Sequence, residues 1–194
     1  PTEELEKQSP TVLSLEEVEV GKNYALLITT NGGLWRYKIG DTLKFTSTYP
    51  YRFRISGRTK HFINAFGEEL IIENAEKAMA EACKAADAIV TDYTAGPVYF
   101  SEEGNGAHEW LIEFEKEPKD LNLFSTILDE ELKKLNSDYE AKRYKSIALR
   151  PPLVKSLPHG HFNKWLKQKN KLGGQHKVPR LSNDRSIIEE VLGW

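Results

Sequence analysis

Hydrophobic and polar positions divide the chain into two stretches of different character. Residues 24–30, YALLITT, form an apolar and β-branched run that predicts a strand, and Asn31-Gly32-Gly33 closes it with a hairpin turn. The following LWRYKIGDTLKFTST (34–48) alternates as a second strand pair. These strands have few apolar partners of their own, so a sheet this small is expected to pack on something that residues 1–60 do not contain. Beyond Gly57 the pattern can close a core by itself. A short strand at 61–65 leads through a turn at Gly67-Glu68-Glu69 into a helix over 73–86. Two strands at 87–93 and 97–100 follow, then the loop SEEGNGA, then a strand with Trp110, Ile112 and Phe114 on one face and Leu111, Glu113 and Glu115 on the other. Leu121, Phe124, Leu128, Leu132 and Leu135 recur at three- and four-residue spacing and predict an amphipathic helix from about residue 119. In SIALRPPLVK, Pro151-Pro152 cannot donate to an interior ladder, so the segment reads as an edge-type strand. The order β-α-β-β-α-β is that of a ferredoxin-like α+β layer.

Composition narrows the function classes. With 39% hydrophobic and 29% charged residues among 194, the chain has the make-up of a globular protein. A net charge of -2 gives no electrostatic attraction for nucleic acid or an anionic membrane, and no apolar run approaches the roughly 20 residues of a membrane span. The single cysteine, Cys83, excludes an internal disulfide and any cysteine-based zinc site and fits a reducing, cytoplasmic setting. Its helical spacing with Ala75 and Met79 makes it a small buried hydrophobe rather than a nucleophile. The chain opens on a polar PTEELEKQSP without an initiator methionine, which reads as a piece of something longer.

The candidate chemistry is sparse. Asp41 ends a short strand and follows Gly40, where a backbone can approach a ligand closely. Its carboxylate can accept both hydroxyls of a vicinal diol such as a ribose, although spacing alone favours an aspartate that bonds its own turn. Arg58, after Gly57, offers a fork of donors for a ribose or phosphate, or is a surface arginine in a linker. Lys177 could be one cation among Lys164, Lys167, Lys169 and Lys171 on a solvated helix, but Gly173-Gly174 end that helix and place it on a loop. His159 and His161 have a metal-like spacing but no carboxylate or thiol beside them, so no metal is assigned and PHGHF reads as a loop leading into a helix. Adjacent Glu68 and Glu69 point apart on their turn and are expected in solvent. Tyr49, Tyr51 and Phe53 interleave with Arg52 and Arg54 as in a single-stranded nucleic-acid surface, but a half-buried strand explains them as well and the overall acidity favours it.

YKIGD (37–41) is similar to the Tyr-Arg-x-Gly-Asp nucleotide motif of the GH3 family of acyl-acid amido synthetases, members of the adenylate-forming superfamily. GRTKHFINAFGEEL resembles the segment that joins the large N-terminal domain of those enzymes to a mobile C-terminal domain, and LNSDYEAKR and GGQHKVPR resemble their C-terminal segments. The resemblance implies a remnant of the N-terminal domain at 1–56 and a ferredoxin-like lid at 57–194. It gives Asp41 and Arg58 the ribose hydroxyls of ATP or the acyl-adenylate, Tyr37 the wall of the adenine and ribose pocket, Lys60 the hinge, and Lys177 the α-phosphate and the carboxylate under activation. Lys38 departs from the usual arginine, keeping the charge and losing a planar two-pronged contact. Trp35 stands where plant members commonly carry tyrosine.

The implied parent enzyme uses ATP and Mg2+, held mainly by the missing N-terminal domain, to activate a small carboxylic acid and passes the acyl group to an amine, expected to be that of an amino acid. No Ser/Thr/Gly-rich phosphate loop occurs in these residues, so the chain alone is expected not to adenylate an acid. An acyl-CoA ligase of the same superfamily and a non-catalytic ferredoxin-like interaction module are the alternatives.

Overall fold

A computed structural model describes residues 1–4, 7–59, 62–100, 105–146, 148–169 and 177–193, and the chain falls into two compact units, Pro1–Lys60 and His61–Trp194. The first unit is a three-stranded antiparallel sheet in the order β1 (Asn23–Ile28), β2 (Tyr37–Thr48), β3 (Tyr51–Arg58). Residues 37–48 make one twelve-residue strand rather than a strand pair, and the partner that turns back on it is β3. The hairpin turn after β1 forms as its residues dictate: Gly33 has φ +98° and donates its N–H to the Thr30 carbonyl. Phe45 is the centre of the sheet's core, buried and edge-on to Tyr24 at 5.9 Å and to Phe53 at 5.8 Å. Apolar partners run out at the edge, where Tyr51, Phe53 and Ile55 of β3 remain exposed; β3 is not half-buried as expected. Tyr49, in the turn before it, is 97% exposed.

The second unit begins with a two-residue ladder, β4 (Phe62–Ile63) with β5 (Leu70–Ile71), followed by α1 (Ile72–Ala86). Then come β6 (Ile89–Val98), β7 (Ala107–Lys116), α2 (Leu121–Leu135), α3 (Ser137–Arg143), β8 (Leu153–Leu157), α4 (His161–Gln168) and α5 (Ser186–Leu192). Asp120 starts α2 by accepting the N–H groups of Asn122 and Leu123. The helices and strands come in the expected α+β order, but the sheet is β6-β7-β8, with β7 antiparallel to β6 and parallel to β8. A split βαβ layer would need the first strand inside this sheet. That strand is instead spent in the β4–β5 ladder, and β8 lies directly on β7. The two strands expected at 87–93 and 97–100 are one strand, because Pro97 needs no donor where Gly96 and Pro97 still face Glu109 and His108 of β7.

The strand β7 is covered on both faces. Trp110, Ile112 and Phe114 join α1 and α2 through Ala78, Met79, Phe124 and Leu128 in one core, which Cys83 borders. Leu111 enters a second core with Phe162, Trp165, Ile188 and Val191 of α4 and α5. Three polar residues of β7 are buried in these layers. His108 Nε2 lies 2.8 Å from Glu68 Oε1, and both side chains are fully buried, so Glu68 is not the solvent residue its turn position suggests. Glu109 accepts from Arg185 at 2.8 Å and pairs with Lys155 at 2.6 Å. Glu113 accepts the N–H of Gly160 at 2.6 Å and of Phe162 at 3.1 Å, serving as a remote cap for α4.

A second polar lock holds α2 to α3. Arg143 forks onto both oxygens of Asp129 at 2.7 Å, and the Tyr139 hydroxyl donates to the same carboxylate at 2.8 Å. Burial raises the pKa of Asp129, but the hydrogen bonds from Arg143 and Tyr139 outweigh it and hold the carboxyl below its ordinary value. Glu68 follows the same pattern: burial raises it, and the hydrogen bond and charge of His108, with the Phe66 N–H, bring it below its ordinary value.

Asp129→Ala strands the Arg143 guanidinium and is expected to cost the second unit about 3–5 kcal/mol in urea unfolding; a loss under about 1 kcal/mol contradicts the lock. Both Glu68 and Asp129 have folded pKa values below the ordinary 4.5 and 3.8. Their stabilisation is therefore complete above about pH 5 and is lost as pH falls through the folded values. The unfolding free energy is expected to decline from pH 5 to pH 3, with a shallower slope in Glu68→Gln; equal slopes contradict the role of that carboxyl.

Candidate functional site

Two irregularities in neighbouring ladders meet at Gly40–Thr42. On the β1 side, Ala25 pairs with Thr42 and Leu27 with Lys38, so Leu26 alone stands opposite Ile39, Gly40 and Asp41. On the β3 side, Thr42 pairs with Gly57 and Leu43 with Ile55, leaving Ser56 as an extra residue. Bulges of this kind bend a strand and re-aim its side chains, and they gather next to binding sites. Gly40 makes the bend possible: its φ of +92° is left-handed, and its carbonyl accepts the Thr59 N–H at 2.8 Å. Behind the bend the buried hydroxyls of Thr42 and Ser56 lie 3.1 Å apart and tie the two strands.

The result is that Asp41 is the register partner of Arg58 across β2 and β3. Residues seventeen positions apart in sequence, each with a plain alternative reading, are thereby brought side by side. Asp41 is half-buried, and Tyr37, on the same strand before the bulge, is half exposed at 51%. A carboxylate at the register position of an arginine, on a strand that also carries an exposed aromatic, supplies an acceptor for a diol and a flat apolar face of the kinds a nucleoside can use. Lys60, the expected hinge, lies outside the described residues.

In the second unit Lys177 is exposed and immediately precedes a tightly held segment. Val178 is buried in the second core and Leu181 in the first. The backbone between them lies along the outer edge of β6, where the Ala95 N–H donates to the Arg180 carbonyl and the Ser182 N–H donates to the Ala95 carbonyl, both at 2.9 Å. The expected helix of cations ends among the described residues at Gln168, and Gly173-Gly174 lie outside them. His161 does not point toward a metal set: its Nε2 is 2.8 Å from the Val191 carbonyl. Among the described residues no group of three or more His, Cys, Asp or Glu is arranged to hold a metal. Nor, among them, is any helix long and apolar enough to cross a membrane. Sequence reasoning passed over Thr94 and Arg180, which hold the Lys177 segment; their partners are remote in sequence and no spacing rule marks them.

Comparison with known proteins agrees in extent with these two units. The indole-3-acetic acid-amido synthetase GH3.3 of Arabidopsis thaliana is 26% identical over 203 residues, covering 97% of this chain and 33% of the relative. The jasmonoyl--L-amino acid synthetase GH3.5 of Oryza sativa subsp. japonica is 31% identical over 194 residues, covering 93% of this chain and 32% of the relative. Among solved structures, the GH3.15 acyl acid amido synthetase matches 95% of this chain and 35% of its own with a TM-score of 0.73 at 22% identity, a likeness of fold. The same enzyme in complex with 2,4-DB matches with a TM-score of 0.68. The chain thus spans about a third of the length of the curated relatives it matches. The GH3 family central domain matches residues 1–58 and the GH3 family C-terminal domain matches residues 73–186, and the chain belongs to the GH3 family.

Proposed function

We propose that this chain supplies nucleotide contacts and the activating lysine of an ATP-dependent acyl-acid amido synthetase. The observation that carries the reading is the paired irregularity at Gly40–Thr42, which sets Asp41 opposite Arg58 in the segment that resembles the family's nucleotide motif. Asp41 accepts the two ribose hydroxyls, Arg58 donates to the same sugar, and the Tyr37 ring lies along the adenosine. The terminal strands of a larger adenylate-forming domain and its mobile lid, turning about Lys60, are the roles given to the first and second units.

In the first step a carboxylate oxygen of the acid bonds to the α-phosphorus of ATP, and the bond from that phosphorus to the bridging oxygen breaks to release pyrophosphate. Two anions approach each other, so the Lys177 ammonium lowers the barrier by neutralising the charge that develops between them. In the second step the amine nitrogen of an amino acid attacks the acyl carbon, AMP leaves with the bonding pair, and the amine loses a proton. Mg2+ is expected to accompany ATP; among the described residues no set of three or more carboxylates or histidines gathers to hold it.

In the natural protein at its full length, Asp41→Asn is expected to lower kcat/KM for ATP about 10- to 100-fold, the loss of charge-assisted hydrogen bonds to the diol; a change within twofold contradicts the assignment. Formation of an amide from an acid, ATP and an amino acid, followed by mass spectrometry, tests the reaction itself, and a coenzyme A thioester as the product would overturn the amide reading. The 194-residue chain on its own is expected to show no ATP–pyrophosphate exchange, and exchange at the rate of the full-length protein would contradict the division of labour.

A further inference from the structure

We propose that Thr94 and Arg180 are positioning residues for Lys177, fixing the backbone from which its ammonium reaches the reacting phosphate; this rests on the reading of Lys177 as the adenylation lysine. A lysine carries its charge on a flexible four-carbon stem, so its placement is only as good as the anchoring of its backbone. Immediately after Lys177 that anchoring is dense. The Val178 side chain is buried, the Thr94 hydroxyl donates to the Pro179 carbonyl at 2.7 Å, and Leu181 is fully buried. Pro179 has no N–H, so it cannot add to the ladder along β6, and its carbonyl needs a donor when laid against the strand. Thr94 supplies that donor from a side chain with no exposed surface.

Arg180 holds the same segment through a second set of contacts. Its carbonyl accepts the Ala95 N–H, while its guanidinium lies over the Tyr93 ring at 4.5 Å and pairs with Asp92 and, at 3.4 Å, with Glu76. The chain just beyond this segment is seated closely too: a Cβ on Gly96 would come within 3.0 Å of the Asp184 carbonyl oxygen and of Ile188 Cγ1. From residue 178 to residue 182 the chain is therefore fixed by side chain, carbonyl or N–H at each step, and Lys177 stands exposed where this fixation begins.

A merely structural role predicts a general loss of function; a positioning role predicts a loss confined to the step that uses Lys177. Thr94→Val keeps shape and strand preference and removes only the hydroxyl. In the full-length natural protein it is expected to lower kcat of ATP–pyrophosphate exchange about tenfold with KM for ATP unchanged. Amide formation from a supplied acyl-adenylate should stay within twofold, and Thr94→Ser should restore exchange. Arg180→Met should act in the same direction. In the 194-residue chain, the Ala95 and Ser182 amides should lose hydrogen-exchange protection about tenfold in Thr94→Val. Equal losses in both half-reactions, or unchanged exchange kinetics and unchanged amide protection, overturn the proposal. If the wild-type natural protein performs no pyrophosphate exchange, the reading of Lys177 fails, whereas unchanged protection of the Ala95 and Ser182 amides overturns the anchoring itself.

Discussion

Strand β7 puts His108, Glu109 and Glu113 out of reach of water, and each must then find its partner within the protein. Those partners tie the second unit together. His108 meets Glu68 in the turn between β4 and β5, Glu109 meets Arg185 at the start of α5 and Lys155 of β8, and Glu113 caps α4. Apolar burial draws the helices to the sheet, but hydrophobic contact has little directional preference. The polar contacts select one seating for each element, because a displaced α4 or α5 would leave a buried carboxylate without its donors.

That seating extends to the candidate chemistry. With α5 held by Arg185 and Glu109, the turn before it lies over Gly96, and residues 178–182 are laid along β6. The backbone that follows Lys177 is thus seated against the same sheet that holds α5. In the first unit the logic is more local: one glycine in a left-handed conformation and a mismatch in both ladders set Asp41 at the register position of Arg58. In each unit, irregular backbone next to a regular strand supports the residue with an assigned role.

The elements of the chain were legible where periodicity is strong. Leu121, Phe124, Leu128 and Leu132 announce α2, and Asn31-Gly32-Gly33 announces its hairpin, because helix faces and left-handed turns impose local residue choices. Strand partners were less legible. Nothing in β6 or β8 says that they flank β7 directly, since ladder order depends on the competition among remote strands; the ferredoxin-like order was the natural inference and the sheet took another. Alternation puts Glu113 on the face opposite Ile112, but nothing local to β7 shows that α4 and α5 make that face interior as well. Glu68 reads as a solvent residue on its turn and is buried instead, because its partner His108 lies forty positions away. Of the candidate site, Asp41, Arg58 and Lys177 stood out through family resemblance, whereas the bulges that bring Asp41 and Arg58 into register have no sequence signature beyond Gly40.

The central claim is that Asp41 reads the ribose of the nucleotide. It is tested most directly by a double-mutant cycle in the full-length natural protein, comparing kcat/KM for ATP and 2′-deoxy-ATP in the wild type and in Asp41→Asn. If the carboxylate accepts the 2′-hydroxyl, loss of the hydroxyl matters much less once the carboxylate is gone, and the coupling is about 1 kcal/mol or more. Additive effects, with coupling near zero, would contradict the account.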